Sequence, residues 1–319
     1  MSEPETGGSE SVRFLTVEAD VAGQRIDNYL ITRLKGAPRT LVYRILRTGE
    51  VRVNKGRIKA DYRVREGDVI RVPPLRLAEA TVPPPPGAGV SRDLAARILY
   101  EQNGLLVIDK PSGLAVHGGS GVAYGVVEAM RHVRPSAHFL ELVHRLDRGT
   151  SGLLMLAEKR SLLRFLHEEL REGRMHKVYV ALLAGRLKGA EHDIRAPLHK
   201  TVQPSGEHIV RVAHEGKEAH SVFRVLERIG DTTLVEVVLY TGRTHQIRVH
   251  AQFLGHPIIG DDKYGIDELN RKMKGVGINR LFLHARDLDI RLPGQEQPLH
   301  LHCPLPPELE ACLERLRHE

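Results

Sequence analysis

A single carboxylate in a basic setting is the chemistry that this 319-residue sequence offers most plainly. In His144-Arg-Leu-Asp-Arg-Gly-Thr-Ser-Gly152, Asp147 stands between Arg145 and Arg148, a turn built on Gly149 and Gly152 follows, and the apolar run Leu153–Ala157 comes next. Nearby positive charge favours the ionised form of an aspartate. Glycine permits backbone conformations and close approaches that other residues forbid. An ionised carboxylate on a loop leading into a buried strand can act as nucleophile or base, or it can be one half of a loop ion pair. In Lys177-Val-Tyr-Val-Ala181, strand alternation puts Tyr179 on the face opposite Val178 and Val180, a placement that by itself suits core packing. The chain has 18 histidines, but His245 and His250 have no carboxylate or thiolate at ligand spacing, so no metal site is expected. The two cysteines, Cys303 and Cys312, read as free thiols of a reducing cytoplasm.

The elements that must position Asp147 come from the hydrophobic pattern. Leu105–Asp109 reads as a strand and leads into Lys110-Pro-Ser-Gly-Leu-Ala-Val-His-Gly-Gly119, and Val122–His132 reads as a short helix. After the Asp147 loop, Leu162, Phe165, Leu166 and Leu170 make an amphipathic helix, and Val178, Val180 and Leu182 alternate as a strand. Strand Leu234–Tyr240 precedes a helix with an apolar stripe of Ile247, Ala251 and Leu254, closed by Gly255. Leu281–Arg286 is one more strand. Strands with interspersed helices, without strict alternation, predict an α+β fold with a mixed or antiparallel sheet. No apolar run has the length of a membrane span, no stretch reads as a signal peptide, and no P-loop or dinucleotide fingerprint is present.

Charge separates a second module. Residues 12–74 carry 14 Lys and Arg against seven Asp and Glu, which accounts for the whole net charge of +7. Such asymmetry predicts a polyanion-binding module. Ile26, Tyr29, Leu30 and Leu34 share one helical face, and Gly36 and Pro38 break that helix. Thr40 is expected to cap a second helix that turns Leu41, Val42, Ile45 and Leu46 inward. Short strands around Val51-Val53 and Val69–Val72 follow. The predicted organisation is a disordered tail over 1–11, the basic module over 12–74, a semi-rigid Pro-rich linker over 75–92 containing Pro83–Pro86, and a larger domain over 93–319.

The motifs resemble those of the RluA-type pseudouridine synthases. His144–Gly152, Lys177–Ala181 and Gly242-Arg-Thr-His-Gln-Ile-Arg-Val-His250 occur in that family's order, and His256-Pro-Ile-Ile-Gly-Asp-Asp-Lys-Tyr-Gly265 extends the likeness. The resemblance implies a central, mainly antiparallel sheet with a cleft that holds Asp147 as the catalytic carboxylate. It implies that Tyr179 stacks on the target base and that Arg248 pairs with Asp147. Arg145, Arg148 and His117 would contact RNA or fill the place of a flipped base in the cleft. Gly23-Gln-Arg-Ile-Asp27 and Gly49–Lys55 are similar to the S4 RNA-binding domain, which implies that Arg25, Arg39, Arg44, Arg47, Arg52 and Lys55 contact phosphates. The implied substrate is 23S ribosomal RNA, free or in a large-subunit assembly intermediate, bound by a monomer.

Forming pseudouridine cuts N1–C1′, turns the uracil and joins C5 to C1′, so it adds no group and calls for no cofactor. Asp147 would attack the sugar or the base, or remove the C2′ proton. A non-catalytic rRNA chaperone would need only the basic module and a platform. A glycoside or nucleoside hydrolase would need a second carboxylate, for which the sequence shows no convincing candidate.

Overall fold

The computed structural model describes residues 11–34, 36–75, 87–118, 124–203 and 208–318. Contacts divide the chain into two units, Met1–Pro84 and Pro85–Glu319. The tail expected over 1–11, apart from Ser11, and the proline run 83–86 lie outside the described residues.

In the first unit, β1 (Arg13–Thr16), α1 (Ile26–Arg33), α2 (Arg39–Arg47), β2 (Arg52–Val53), β3 (Gly56–Arg57) and β4 (Val69–Val72) form a helix pair and an antiparallel sheet ordered β1-β4-β2-β3. The predicted stripes are inside: Ile26, Tyr29, Leu30, Leu34, Val42, Ile45 and Leu46 make one core with Val51, Val53 and Ile70. Thr40 is not the cap. The second helix starts at Arg39 with Pro38 before it, because the fixed φ of proline already suits a helix start. The β2–β3 turn places both Asn54 and Lys55 at positive φ, and the Asn54 side chain pins it by donating to Asp68 and accepting from the Val69 N–H.

The second unit contains α3 (Ala88–Ala95), β5 (Ile98–Gln102), β6 (Leu105–Lys110), α4 (Val126–Val133), β7 (Glu141–Leu142), β8 (Ser151–Ala157), α5 (Arg160–Arg171) and β9 (His176–Ala184). It continues with β10 (Glu191–Ile194), β11 (Leu198–Val202), β12 (His208–Val212), β13 (Ser221–Ile229), β14 (Thr232–Leu239), α6 (Gln246–Phe253), α7 (Asp267–Gly275), β15 (Leu283–Ile290), β16 (Leu299–His302) and α8 (Pro307–His318). Ten strands form one sheet along β10-β13-β14-β9-β15-β8-β6-β5, with β16 beside β15 and β7 beside β8. Its pairings are antiparallel except β15 with β8. The β11–β12 hairpin stands apart. Part of the stretch expected to be linker is helical: α3 begins at Ala88, because Val90 and Leu94, one helical turn apart, pack on the main core.

Two junctions position the central loop. β8 meets β15 at Gly152, at φ +104°, where a Cβ would lie 2.2 Å from the Ala285 carbonyl oxygen, so only glycine fits. The loop 110–114 is clasped to the Asp147 loop. The fully buried Lys110 ammonium donates to the carbonyls of Pro111, Leu114 and Arg148, Ser112 Oγ donates to Gly149 O, and Gly113 N–H donates to Arg148 O.

Candidate active site

A cavity of about 460 Å³ opens between the β7–β8 loop, α5, β9 and the segment from Leu239 into α6. Asp147, Arg145, Tyr179, Arg248 and His245 line it, and Asp147 is the one carboxylate among its described lining residues. The size is that of a small-molecule pocket, large enough for a flipped nucleotide.

Asp147 is faced from the first turns of α6. Arg248 Nη1 stands 3.5 Å from Oδ2 and His245 Nε2 4.0 Å from Oδ1. The flanking arginines do not pair with it. The turn after Asp147, closed by the Thr150 N–H on the Asp147 carbonyl, sends Arg148 away, where its Nε donates to Gly113 O. Arg145 is exposed on the cleft lining, whereas Arg148 and His117 are exposed and do not line the cavity. His117 is drawn off because Ala115, Val116 and Gly118 are hydrogen-bonded to the start of α4 and to Glu128. Of the three residues expected to contact RNA in the cleft, the structure thus places Arg145 on the cavity wall and Arg148 and His117 outside it.

Arg248 is committed chiefly to an acid that the sequence reading gave no role. Nε and Nη2 form a fork on Asp261 at 2.7 and 2.6 Å, and Nη2 also reaches Asp262 at 3.2 Å. Burial opposes the guanidinium charge, but the hydrogen bond and charge of Asp261, joined by Asp147 and Asp262, raise its pKa well above the ordinary value. Burial likewise works against the Asp261 anion, yet Arg248 and the N–H groups of Tyr264 and Lys263 hold its pKa below the usual carboxylate value. Arg248 is thus a fixed, permanently charged plate with one nitrogen left toward Asp147.

The loop before α6 is folded by Gln246. Its oxygen accepts from Thr241 Oγ1 and the Arg243 N–H, and its nitrogen donates to His220 O and Ser221 Oγ. His245, at the N-cap, has φ +53°, a left-handed conformation that costs energy for a non-glycine residue and aims its ring into the cleft. Burial lowers the His245 pKa, with Asp147 pulling the other way, so the ring is neutral near pH 7. Tyr264 Oη accepts the Val210 N–H at 3.0 Å and stands 2.8 Å from His245 Nδ1, to which its own proton can be donated. With Tyr264 as the donor at Nδ1, we assign the imidazole proton to Nε2, the nitrogen facing Asp147.

Tyr179, on β9 between β14 and β15, is 6% exposed. Burial first, and the Asp147 charge second, push its pKa up, so it stays a phenol. Lys177, two residues earlier on the same strand face, also lines the cavity. The sequence reading missed Lys110, Lys177, His245, Asp261 and Tyr264 as parts of the site. The available signal was that all five lie in the segments Lys110–Gly119, Lys177–Ala181, Gly242–His250 and His256–Gly265.

In the first unit Arg39, Arg44, Arg47, Arg52 and Lys55 are exposed, and none closes an ion pair among the described residues. Arg39, Arg44 and Arg47 edge a shallow groove with Tyr43, Ile58 and Lys59. Arg25 differs from the expectation: its guanidinium grips the buried Asp27 through Nε and Nη2, at 3.1 and 2.7 Å, which removes it from the free basic face.

The sequence profile described as RNA pseudouridylate synthase matches residues 104–253, and the S4 domain profile matches residues 24–70. The chain is similar to ribosomal large subunit pseudouridine synthase C of Escherichia coli, 51% identical over 311 residues that cover 97% of this chain and 98% of that protein. It is similar to the protein of the same name from Pasteurella multocida, 50% identical over 312 residues, covering 98% and 96%. Among solved structures, human RNA pseudouridylate synthase domain containing 4 superposes with a TM-score of 0.60 at 29% identity, covering 72% of this chain and 96% of that one.

Proposed function

This chain belongs to the RNA pseudouridylate synthase family and forms pseudouridine in large-subunit ribosomal RNA, and from that premise we propose that Asp147 is the carboxylate on which the isomerisation turns. The observation that carries the reading is the placement of Arg248 Nη1 and His245 Nε2 against Asp147, in a cleft where it is the one carboxylate among the described lining residues. A hydrolase would need a second carboxylate. Asp261, the buried acid that shares Arg248 with Asp147, is bound up in the Arg248 fork and unfit for that work.

The reaction is redox-neutral and balanced within one nucleotide: N1–C1′ breaks, the uracil turns, C5–C1′ forms, and the C5 proton leaves while N1 gains one. Attack on the sugar, attack on the base and removal of the C2′ proton all begin from an ionised Asp147. Arg248 Nη1, 3.5 Å from Oδ2, fixes the direction of that carboxylate. The uridine must leave its stack to reach the cleft. Tyr179 offers the flipped uracil an aromatic face, worth roughly 1–3 kcal/mol per base. Its raised pKa suits stacking and hydrogen-bond donation, not proton abstraction. Arg145, exposed at the cleft, fills the vacated position in the RNA. The substrate is 23S ribosomal RNA, free or within an assembly intermediate.

Tritium release from ribosomal RNA labelled at uridine C5 tests the reading. The natural protein is expected to release tritium and Asp147→Asn to release none while still binding RNA. Turnover by Asp147→Asn at the natural rate would end the case for this carboxylate.

A further inference from the structure

Lys177 is a buried cation with no anion of its own. Its side chain belongs to a residue 9% exposed, on β9, yet no carboxylate among the described residues pairs with it. Besides His144, His167, Arg171, Tyr179, Tyr240 and Arg243, the cavity wall holds one acid, Asp147, which pairs with Arg248 and His245 and not with Lys177. His144 does not share its charge: burial, and then the Lys177 ammonium itself, lower that imidazole's pKa to about 4. The ammonium lies beside Gly242, where a Cβ would stand 3.9 Å from Nζ. With glycine there, the cleft side of the ammonium is left clear of any side chain at that position.

A desolvated charge without a partner is costly. Lys110, in the same unit, shows the structural alternative, with three carbonyls on its ammonium. Lys177 has nothing comparable. Resting on the pseudouridine-synthase reading of this cleft, we propose that Lys177 and the Gly242 backbone form an anion subsite for an RNA phosphodiester next to the flipped uridine. The spacing agrees. Residues two apart on one strand face lie about 7 Å from each other, which sets Lys177 beside the base platform of Tyr179 in the same cavity wall.

Burial lowers the Lys177 pKa to about 8, which makes the subsite testable by pH as well as by substitution. Here the unfolded chain binds the proton more tightly than the folded one. Stability therefore rises as pH climbs from about 8 toward the ordinary lysine value of about 10.4. Lys177→Met should raise the melting temperature at pH 7, and the gain should shrink above pH 8. In the Asp147→Asn background, the same change should weaken binding to a large-subunit rRNA transcript by roughly tenfold. It should also reduce the slope of log K against log salt by about 0.7–0.9. Lys177→Arg should keep the slope, and its binding should hold between pH 7 and 9 where that of lysine falls. Unchanged affinity and slope in Lys177→Met, or a lower melting temperature, would overturn the subsite. These binding readouts need no turnover. Absent tritium release with a Lys177-dependent slope would sink the enzymatic reading alone, and release with a Lys177-independent slope would sink the subsite alone.

Discussion

The two units handle positive charge in opposite ways. In the first, Arg39, Arg44, Arg47, Arg52 and Lys55 stand in solvent on short elements, without ion pairs among the described residues. In the second, the arginine that matters is 8% exposed in its side chain and locked to an aspartate that is fully buried. Free surface charge costs little to keep and is available to any phosphate, but it is screened by salt. Buried, paired charge is available to nothing except what enters the cleft, and it holds its geometry there. The first arrangement suits affinity and the second suits chemistry.

The largest break of this contrast is expected at the Arg248–Asp261 fork. Arg248→Ala leaves Asp261 buried without its cation, which should cost about 3–5 kcal/mol in denaturant unfolding of the catalytic unit, along with activity. Arg248→Lys keeps a charge but not the planar fork, and should lose tritium release at a smaller stability cost. The pH sign follows from Asp261, whose folded-state pKa is depressed. Its contribution is fully present above the ordinary carboxylate value and is lost as the pH falls through its folded pKa, so acid unfolding of this unit should steepen below about pH 4. Asp261→Asn should flatten that limb.

Tyr264→Phe sharpens the comparison by removing one proton from the paired region. The Val210 N–H loses its acceptor, at about 1–3 kcal/mol, and His245 Nδ1 loses its donor. With the imidazole free to exchange tautomers, kcat should fall roughly tenfold, about 1.4 kcal/mol, while KM for RNA stays near its natural value. Nitrogen NMR of His245 should show a protonated Nε2 in the natural protein and a mixture in the variant. A single tautomer in both would remove Tyr264 from the site.

What the sequence made legible divides along the same line. Helix stripes such as Ile26, Tyr29 and Leu30 appear because burial repeats with the period of the helix, whereas the strand His176–Ala184, buried on both faces from Lys177 on, was legible from its apolar run. The exposed arginines of α2 were also readable, since nothing distant alters a residue that faces water. Pairings were not. Arg145 and Arg148 adjoin Asp147 in sequence, but a turn carries Arg148 to Gly113, and the cation that does face Asp147 comes from Arg248, about a hundred residues on. Arg25 misled for the same reason, because its commitment to Asp27 lies in side-chain geometry and not in composition. The left-handed His245 has no signature in residue type, since any L-residue there is held by its surroundings.

The smallest effects are expected where charge is free, and they test whether the first unit is only a binding device. Arg44→Ala and Arg47→Ala should each change stability by no more than about 0.5 kcal/mol. Each should lower the salt slope of rRNA binding by about 0.7–0.9 and leave kcat at saturating RNA unchanged. Arg25→Ala is the internal control. Its arginine belongs to the unit with free charges but is built like the paired region, holding Asp27 together with the Tyr43 hydroxyl. Arg25→Ala should therefore destabilise the first unit measurably while moving the salt slope less than Arg44→Ala does. If Arg25 and Arg44 behaved alike in both measurements, pairing would not be what separates the structural cations from the RNA-facing ones.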